Sequence, residues 1–589
     1  MKKSIIKLLI LIVILCSIFF NCSKKAEEPS VKETEKIDVA KNNTPLPPPS
    51  PLEGEGRVGG YSEESKKEET QATATKETPV NGDWLVRSLS AEPQILNPIT
   101  STDVYSDLVD DLVYEYLADY DRHTKKLVPI LAESFNVSDD YLTYTYKLRK
   151  GIKWHDGKPL TIDDVMFSYN ILMDPKTDSA HLKNYYQDVK KVEQIGDDTI
   201  KFTMKKPYFK AIEFTGGFPI MPKHIFDTGG DFNKHPNNRK PIGTGPYKFV
   251  KWDTGREIVL EKNPDYWGEK KPHFDKIIYK IITDPVAEIQ ALKNGEVDVV
   301  DGIAPEHWTT TLNAKSFNEK FNKYAYTYPQ FSYIGWNIRK PFFEDKRVRT
   351  ALTMLINRDD IIKYVLYDLA EPTSGPFMIG TPAYDTSIQP LPYDPVKARE
   401  LLNEAGWIDH NNDGIRDKDN IKFEFTYLIP SSTKTGLQIA EIIKEAFTKE
   451  GIIVNIKRLE WATFLEQIME WQFDVSSLSW ALSFLPDYYQ IFHSSQADIK
   501  KSSNHVGYKN PEADKVMEEI RTTFDEEKRN ELYHKLQKIF HDDQAYTFLF
   551  VPKRLMAIDK RIHNVNFFSI RPCYLVDEWF VPKEQQKYK

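Results

Sequence analysis

The sequence predicts an α/β protein built around a parallel β-sheet, with at least two lobes. Residues 421–460 read as a strand, an amphipathic helix and a second strand, an order that is typical of parallel sheets. Residues 394–406 predict a further helix, which ends at Gly406. The folded body begins near Gly82 and contains about 509 residues, more than one ordinary hydrophobic core holds.

Two earlier elements follow from local patterns. Residues 141–149 (YLTYTYKLR) alternate in polarity with a period of two and predict a strand. Residues 161–172 (TIDDVMFSYNIL) predict a helix with Thr161 as its N-cap, because a threonine hydroxyl can accept a hydrogen bond from the first helical turn.

Residues 1–21 predict a signal peptide. Three lysines lie within the first seven residues, and the apolar run Leu8–Phe20 follows them. A run of about 13 residues is short for a bilayer core of roughly 30 Å, so an uncleaved membrane anchor is the weaker alternative. Cys22 resembles the lipidated cysteine of bacterial lipoproteins, although the residues before it depart from the usual Leu-Ala-Gly type of approach.

Residues 22–82 predict a lipidated cysteine followed by a disordered tether. The segment is rich in Lys, Glu, Pro, Thr and Ser, and Tyr61 is its one aromatic residue before the folded body. It cannot offset the entropy of ordering by burying apolar surface. A flexible coil of this length would span on the order of 40 Å.

Cysteine content and charge limit the class of protein further. Of the three cysteines, Cys16 leaves with the signal peptide and Cys22 would carry lipid. Cys573 then remains alone, so no intramolecular disulfide can form. The net charge is −8, and loss of the three signal lysines takes it to −11. This acidity argues against a nucleic-acid partner, whose phosphates would be repelled.

Catalytic motifs are missing from the sequence. It contains no G-x-S-x-G elbow, no H-E-x-x-H, no C-x-x-C and no Walker-type loop. His155 lies in a WHDG turn and is predicted to be structural. His224 and His235 lack partners at the spacing that a metal site needs. We therefore expect no enzyme.

Seven motifs together resemble one family. The chain is similar over nearly all of 84–589 to the family 5 extracellular solute-binding proteins, the oligopeptide- and dipeptide-binding receptors of ABC importers. The motifs follow the order of that family and occupy residues 127–169, 241–268, 292–303, 343–361, 394–407, 473–496 and 506–514.

The resemblance implies a two-lobed periplasmic-binding-protein type II fold, with an extra subdomain in the first lobe and a hinge between the lobes. Chain crossings near Phe321–Tyr333 and Asp542–Val551 would form the hinge. The implied segments are 83–108 (lobe one core), 109–220 (added subdomain), 221–322 (lobe one core), 323–545 (lobe two) and 546–589 (lobe one core).

In such a fold, the Gly- and Pro-rich stretch 241–246 would fix a bend that leads into a strand, Tyr247–Trp252. Residues 263–267 (NPDYW) would then pack aromatic side chains at the end of the next strand. We expect the whole stretch to be scaffold. The alternative is a glycine-rich turn that lines the ligand site, where bare backbone can approach a guest closely.

The resemblance also implies a ligand cleft between the lobes. The residues that it assigns to this cleft are Glu92, Tyr333, Trp336, Asn337, Trp480, Ser483, Phe484 and Asp487. Peptide receptors of the family place an Asp three residues after the tryptophan that matches Trp480, where it holds the guest's amino group. Ser483 occupies that position here, which puts free peptides in doubt as ligands, and Asp487 is the nearest acid.

A second motif resembles a calcium loop. Its candidate ligands are Asp409, Asn411, Asp413, Ile415 and Asp417. Oxygen atoms at these positions can converge on a hard cation. However, Asn420 stands where the loop usually has a bidentate Glu, and a strand follows instead of a helix. The alternative is a polar turn rich in Asx residues.

The sequence therefore predicts a lipid-anchored, monomeric receptor that captures a solute, most simply an oligopeptide, and delivers it to ABC permease subunits. It would lie at the periplasmic or extracellular face of the cell envelope and need no cofactor apart from the candidate calcium. Alternatives are a sensory or chaperone-like lipoprotein on the same fold, or a receptor for an oligosaccharide, a metal chelate or haem.

Overall fold

The structure is a computed structural model and describes residues 78–588. The predicted signal peptide 1–21, the lipidation site Cys22 and most of the tether 22–82 lie outside the described residues. The folded body is tied down from its first residues, since the backbone N–H of Gly82 donates to the carbonyl of His273 at 3.0 Å.

The strands are β1 (Trp84–Leu89), β2 (Ala118–Tyr120), β3 (Leu127–Pro129), β4 (Ala132–Val137), β5 (Thr143–Leu148), β6 (Val189–Ile195), β7 (Thr199–Met204), β8 (Tyr247–Asp253), β9 (Glu257–Lys262), β10 (Lys276–Ile281), β11 (Val299–Asp301), β12 (Phe321–Thr327), β13 (Gln330–Trp336), β14 (Ala370–Pro372), β15 (Asp417–Lys418), β16 (Ile421–Lys422), β17 (Glu424–Pro430), β18 (Ile453–Leu459), β19 (Val475–Ala481) and β20 (Tyr546–Asp559).

The α-helices are α1 (Val104–Val113), α2 (Ile162–Met173), α3 (Ala180–Lys183), α4 (Ala211–Gly216), α5 (Lys223–Phe226), α6 (Pro285–Lys293), α7 (Pro305–Thr309), α8 (Lys315–Lys320), α9 (Lys346–Met354), α10 (Arg358–Asp360), α11 (Pro395–Glu404), α12 (Lys434–Thr448), α13 (Trp461–Met469), α14 (Tyr489–Phe492), α15 (Ser494–Ala497), α16 (Pro511–Thr522) and α17 (Glu526–Asp543). A π-helical turn, Ile361–Val365, follows α10.

The main sheet has the strand order β18-β17-β19-β13-β20-β11-β1-β10-β9-β8, and β12 and β14 also pair with β20. The sheet is mixed. β1 is parallel to β10 and β11, and β17 is parallel to β18 and β19. β20 is antiparallel to all four of its partners. The predicted parallel sheet is thus confirmed at two places, and an antiparallel centre joins them.

A separate antiparallel sheet, β4-β5-β7-β6, lies within 109–220, the segment predicted to be the added subdomain. A hydrophobic core formed by residues of 334–475 together with Leu549 and Phe550 of β20 surrounds β13, β17 and β18, where α9, α11 and α12 cover the sheet. Another core covers β1 and β11 with α6, α7 and α8. The exact boundaries of the lobes stay a prediction.

The predicted local elements agree with the structure. Residues 141–149 contain β5, and Asp394 caps the helix α11 through the backbone N–H of Lys397. Gly406 after α11 has a φ of 85°, a left-handed conformation that glycine adopts without strain. One prediction needs correction: the strand expected over 421–429 is two strands, β16 and β17, because β16 turns away to pair with β15.

The glycines of 241–246 are required by backbone contact. A side-chain carbon placed on Gly243 would lie 1.8 Å from the carbonyl oxygen of Val113, and one on Gly245 would lie 2.6 Å from that of Leu112. Close approach of two backbones needs residues without a Cβ. The stretch therefore holds the C-terminal end of α1, which is a scaffold role.

His155 holds the same bend from the other side. Its Nδ1 accepts from the N–H of Gly243 at 3.2 Å, so its Nε2 carries the proton and donates to the carbonyl of Gly245 at 3.0 Å. Burial lowers the pKa of His155 to about 4. The predicted structural role of this histidine agrees with these bonds.

We predict that His155 makes the protein sensitive to acid. Its pKa is lower in the folded state than the unfolded value near 6.5, so its contribution to stability is complete above about pH 6.5 and is lost as the pH falls towards 4. His155→Gln should reduce the free energy of unfolding at pH 7.5 and flatten its decline between pH 6.5 and 4.5. Urea unfolding at several pH values measures both effects.

His307→Gln, at a surface helix, is the control and should leave the pH profile unchanged. His505 also has a pKa lowered to about 4 by burial, so some acid sensitivity should remain in His155→Gln. Parallel pH profiles for wild type and His155→Gln would contradict the assignment.

Candidate functional site

A cavity of about 400 Å³ lies where α1, the segment 116–127, α4 and the strands β11, β12 and β20 meet. A second cavity of about 580 Å³ shares walls with it at Asp111, Tyr120 and Arg122. The two cavities are therefore adjacent. Their lining is strongly charged and is supplied by chain segments that are hundreds of residues apart.

Three neighbouring strands build the floor of this cavity. Asp301 at the end of β11 binds the Nε of Arg554, on β20, at 2.9 Å. The hydroxyls of Tyr326, on β12, and Tyr574 each donate to the same carboxylate at 3.3 Å. The Arg554 guanidinium also lies 5.1 Å from the ring centre of Tyr328. Asp301 is thus fully engaged and keeps the floor in one arrangement.

Behind the lining residues Tyr120 and Glu213, the segment 109–220 contacts the residues that follow β19. The Tyr120 hydroxyl donates to Glu213 at 2.7 Å, and the ammonium of Lys210 lies 3.1 Å from the other oxygen of Glu213. The same ammonium donates to the Ser483 hydroxyl at 3.0 Å. Burial opposes the charge of Lys210, but Glu213 outweighs it and the pKa of Lys210 is raised. This lysine therefore stays charged beside Ser483.

Phe484 and Asp487 extend this contact. The Phe484 ring meets the edge of Tyr120 with centroids 5.6 Å apart. Asp487 accepts from the Tyr208 hydroxyl and from Arg521 Nε, the latter at 3.1 Å. The carboxylate of Asp487 is therefore already occupied by partners from both sides of the contact.

Trp480 is half-buried on β19. Its indole N–H donates to the Tyr546 hydroxyl at 3.4 Å, and its ring lies nearly parallel to that of Tyr333 at 6.4 Å. Ser483, Phe484 and Asp487 follow β19 and contact the segment 109–220 behind the cavity lining, whereas Trp480 lies on β19 itself; none of these four residues lines either cavity. Their contact with a ligand stays a prediction.

The other residues predicted for the cleft lie elsewhere. Glu92 accepts from Trp252 Nε1 at 2.7 Å, at the turn between β8 and β9. Tyr333, Trp336 and Asn337 are at most 1% exposed, inside the core beside β13. Their polar atoms are used there, for example by the bond of 2.8 Å from the Asn337 amide to the Phe473 carbonyl. The structure does not bring these four residues to the cavity.

Sequence reasoning missed the charged lining. Asp301 is the last residue of a short buried strand, and a polar residue at a strand end can be recognised from the sequence. Arg554 lies in the middle of a long strand, where no such pattern marks it. Tyr120, Lys210 and Glu213 gave no local signal, because their meeting depends on how distant segments fold together.

The candidate calcium loop is held by its own hydrogen bonds and ion pairs. The backbone N–H groups of Asp413 and Gly414 donate to Asp409, and Lys422 binds Asp413 at 2.7 Å. Asp417 accepts from His410 at 2.8 Å. Within residues 78–588 no group of three or more His, Cys, Asp or Glu side chains is placed to hold a metal ion. The calcium site stays a prediction that competes with these bonds.

Comparison with known proteins defines the class. Residues 126–501 match the model of the bacterial extracellular solute-binding proteins, family 5, and the chain belongs to this family. The fold is that of the type II periplasmic binding proteins. Members of the family are substrate-binding proteins and not enzymes. None of the helices in residues 78–588 has the length and apolar character to cross a bilayer.

Two curated relatives are similar over most of the chain. The oligopeptide-binding protein AppA of Bacillus subtilis is 35% identical over 88% of this chain and 95% of its own length. The di/tripeptide-binding protein 2 of Pseudomonas aeruginosa is 27% identical over 82% of this chain and 91% of its own.

Two solved structures are similar in fold as well. The structure of AppA of Bacillus subtilis in complex with a nonapeptide has a TM-score of 0.76 at 35% identity. The match covers 86% of this chain and 100% of the AppA chain. DppA of Helicobacter pylori, in complex with the peptide STSA, has a TM-score of 0.74 at 25% identity, over 86% of this chain and 99% of its own.

We predict that the Tyr208 hydroxyl stabilises the contact between 109–220 and the end of β19. Tyr208→Phe removes one hydrogen bond to the charged Asp487, and such bonds contribute about 1.5–3 kcal/mol. The variant should bind ligand about ten- to a hundredfold more weakly and have a larger radius of gyration by small-angle scattering.

Tyr508→Phe is the matched control. Tyr508 is also 2% exposed and donates to an aspartate, Asp543, at 2.8 Å, but both residues lie within 323–545. Tyr508→Phe should reduce the free energy of unfolding by a similar amount but leave the radius of gyration and the ligand affinity unchanged. Equal effects of the two substitutions on ligand affinity would contradict the prediction.

Proposed function

We propose that this protein is the solute receptor of an ABC importer and that its solute is an oligopeptide held in the charged cavity. The observation that carries the proposal is the charged cavity between 109–220 and the strands β11, β12 and β20 of the main sheet, in a chain similar along almost its whole length to an oligopeptide-binding protein. Groups on opposite sides of this space can contact one guest together.

Closure of the lobes would then be the mechanism of capture. A guest can contact both lobes only in the closed form, so it binds the closed form more tightly than the open form. This difference in affinity shifts the equilibrium towards closure. The hinge crossings proposed near Phe321–Tyr333 and Asp542–Val551 run through β12, β13 and β20. Transport requires the closed form to dock on permease subunits.

The direct experiment is mass spectrometry of small molecules that co-purify with residues 81–589, followed by calorimetric titration of the peptides found. Recovery of peptides with micromolar or tighter affinity supports the proposal. Recovery of an oligosaccharide or a metal chelate, with no binding of peptides, would replace it.

We also propose that Cys22 carries the lipid that anchors the protein to the cell envelope. Cys22→Ser should release it from membranes, because acyl chains supply the only stable attachment. Fractionation after an alkaline wash measures this. Cys16→Ser, inside the apolar run of the signal, is the control and should stay in the membrane fraction, and continued membrane association of Cys22→Ser would refute the anchor.

The contact at Ser483 bears on which end of a peptide is recognised. A guest ammonium held between 109–220 and the residues after β19 would lose its hydration and need a carboxylate nearby. Ser483 supplies no charge, Lys210 at 3.0 Å repels a cation, and Asp487 is paired with Arg521. We infer that the protein does not select for a free amino terminus at this point.

Acetylation of the peptide tests this inference. In wild type, the affinity for a peptide and for its N-acetylated form should differ by less than about tenfold. Lys210→Met leaves Glu213 without its cation and should create a preference for the free amine, while Asp487→Asn should leave the ratio unchanged. A wild-type loss of about a hundredfold on acetylation, abolished by Asp487→Asn, would show an ordinary amino-terminal site instead.

A further inference from the structure

Two acids of α1 stand apart from the rest of the cavity lining. Asp107 and Asp111 are one helical turn apart and both line the cavity of about 400 Å³. Within residues 78–588, neither side chain has a hydrogen-bond or ion-pair partner. The other acids of this lining are paired, with Asp119 bound by Arg122 at 2.8 Å, Asp301 by Arg554 and Glu213 by Lys210.

The position of Asp111 is unfavourable for the free protein. It lies in the last turn of α1, where the partial negative charge of the helix end repels a carboxylate. Asp107 and Asp111 are both exposed, yet the protein around them removes part of their hydration. This desolvation, together with the neighbouring Asp107, raises the pKa of Asp111 to about 7, and desolvation also raises the pKa of Asp107. Nothing inside the described part of the chain compensates this charge fully.

The nearby cations reduce the cost without removing it. Arg571 lines the same cavity and lowers the pKa of both acids, and Arg122 lowers that of Asp111. Arg122, however, is the ion-pair partner of Asp119. The cavity therefore keeps two carboxylates that remain accessible from inside it and unpaired.

We propose that Asp107 and Asp111 form a subsite for a basic side chain of the bound solute, a lysine ammonium or an arginine guanidinium. Carboxylates one turn apart on a helix have Cβ atoms about 5–6 Å apart, so a single cation can lie between them. Charge-assisted hydrogen bonds to both would satisfy the donors of the cation and neutralise the two acids together. The subsite rests on the proposed peptide-binding function and specifies the class of peptide.

The test uses the mature full-length chain and two peptide sets. Each set consists of N-acetylated pentapeptides of alanine, with one lysine in the first set and one norleucine in the second, placed at each position in turn. Acetylation removes the terminal ammonium, which would otherwise compete for the same carboxylates. Retention on the immobilised protein at pH 8 is read by mass spectrometry.

Wild type should retain the best lysine peptide about tenfold or more over its norleucine partner. Asp107→Asn and Asp111→Asn should each reduce this ratio, and the double variant should bring it near one. Asp139→Asn removes the same charge from an exposed site outside the cavity and should leave the ratio unchanged.

A melting curve without peptide separates binding from structure. Asp111→Asn should melt at the same or a higher temperature than wild type at pH 8, because an unpaired and partly desolvated charge is removed. A lower melting temperature with an unchanged lysine ratio would assign Asp111 to structure and overturn the subsite.

Two further outcomes would overturn the proposed subsite. Equal retention of lysine and norleucine peptides by wild type would overturn the subsite while leaving peptide binding intact. Retention of neither set, confirmed by an absence of peptides among co-purifying molecules, would overturn the proposed function and the subsite with it.

Discussion

The continuous strand β20 is the constraint on which the rest of the structure depends. Its first half pairs with β13 and β14, and its second half pairs with β11 and β12, so one strand belongs to both halves of the main sheet. Residues 552–554 at its middle are less buried than the strand on either side. The pairing passes from β13 to β12 across this short stretch, and Arg554 enters the cavity there.

The cavity follows from this geometry. Strands β11, β12 and β20 end or change partners at one place, which lets Asp301, Tyr326 and Arg554 meet on a common floor. The wall above them is supplied by 109–220, whose own antiparallel sheet is held together by its aromatic core. The residues after β19 contact the segment 109–220 behind this wall, through Ser483 and Phe484. The positions of the lining residues are therefore determined by contacts between distant segments of the chain and not by any single helix or strand.

This explains which predictions the sequence could support. The helix α11 and the strand pair β17 and β18 are local or nearly local units, and periodicity with capping residues defines them. The site needs contacts between residues such as Lys210 and Ser483, which no local pattern records. The resemblance assigns Tyr333 and Trp336 to the cleft, but both lie in the core. Aromatic residues beside a hinge can line a ligand site or pack in a core, and alternation along a strand does not tell which of its faces is buried.

The helix α1 connects the scaffold to the electrostatics of the cavity. Its C-terminal end is fixed by the close approach of Gly243 and Gly245. Asp110 on the same helix is 2% exposed, and burial raises its pKa well above the usual range. Asp107 and Asp111 instead remain accessible from the cavity. In the closed form without a guest, the two carboxylates lack a cation and destabilise the protein. A guest cation that binds them removes this cost, so in the proposed subsite the charge of the guest favours the closed form.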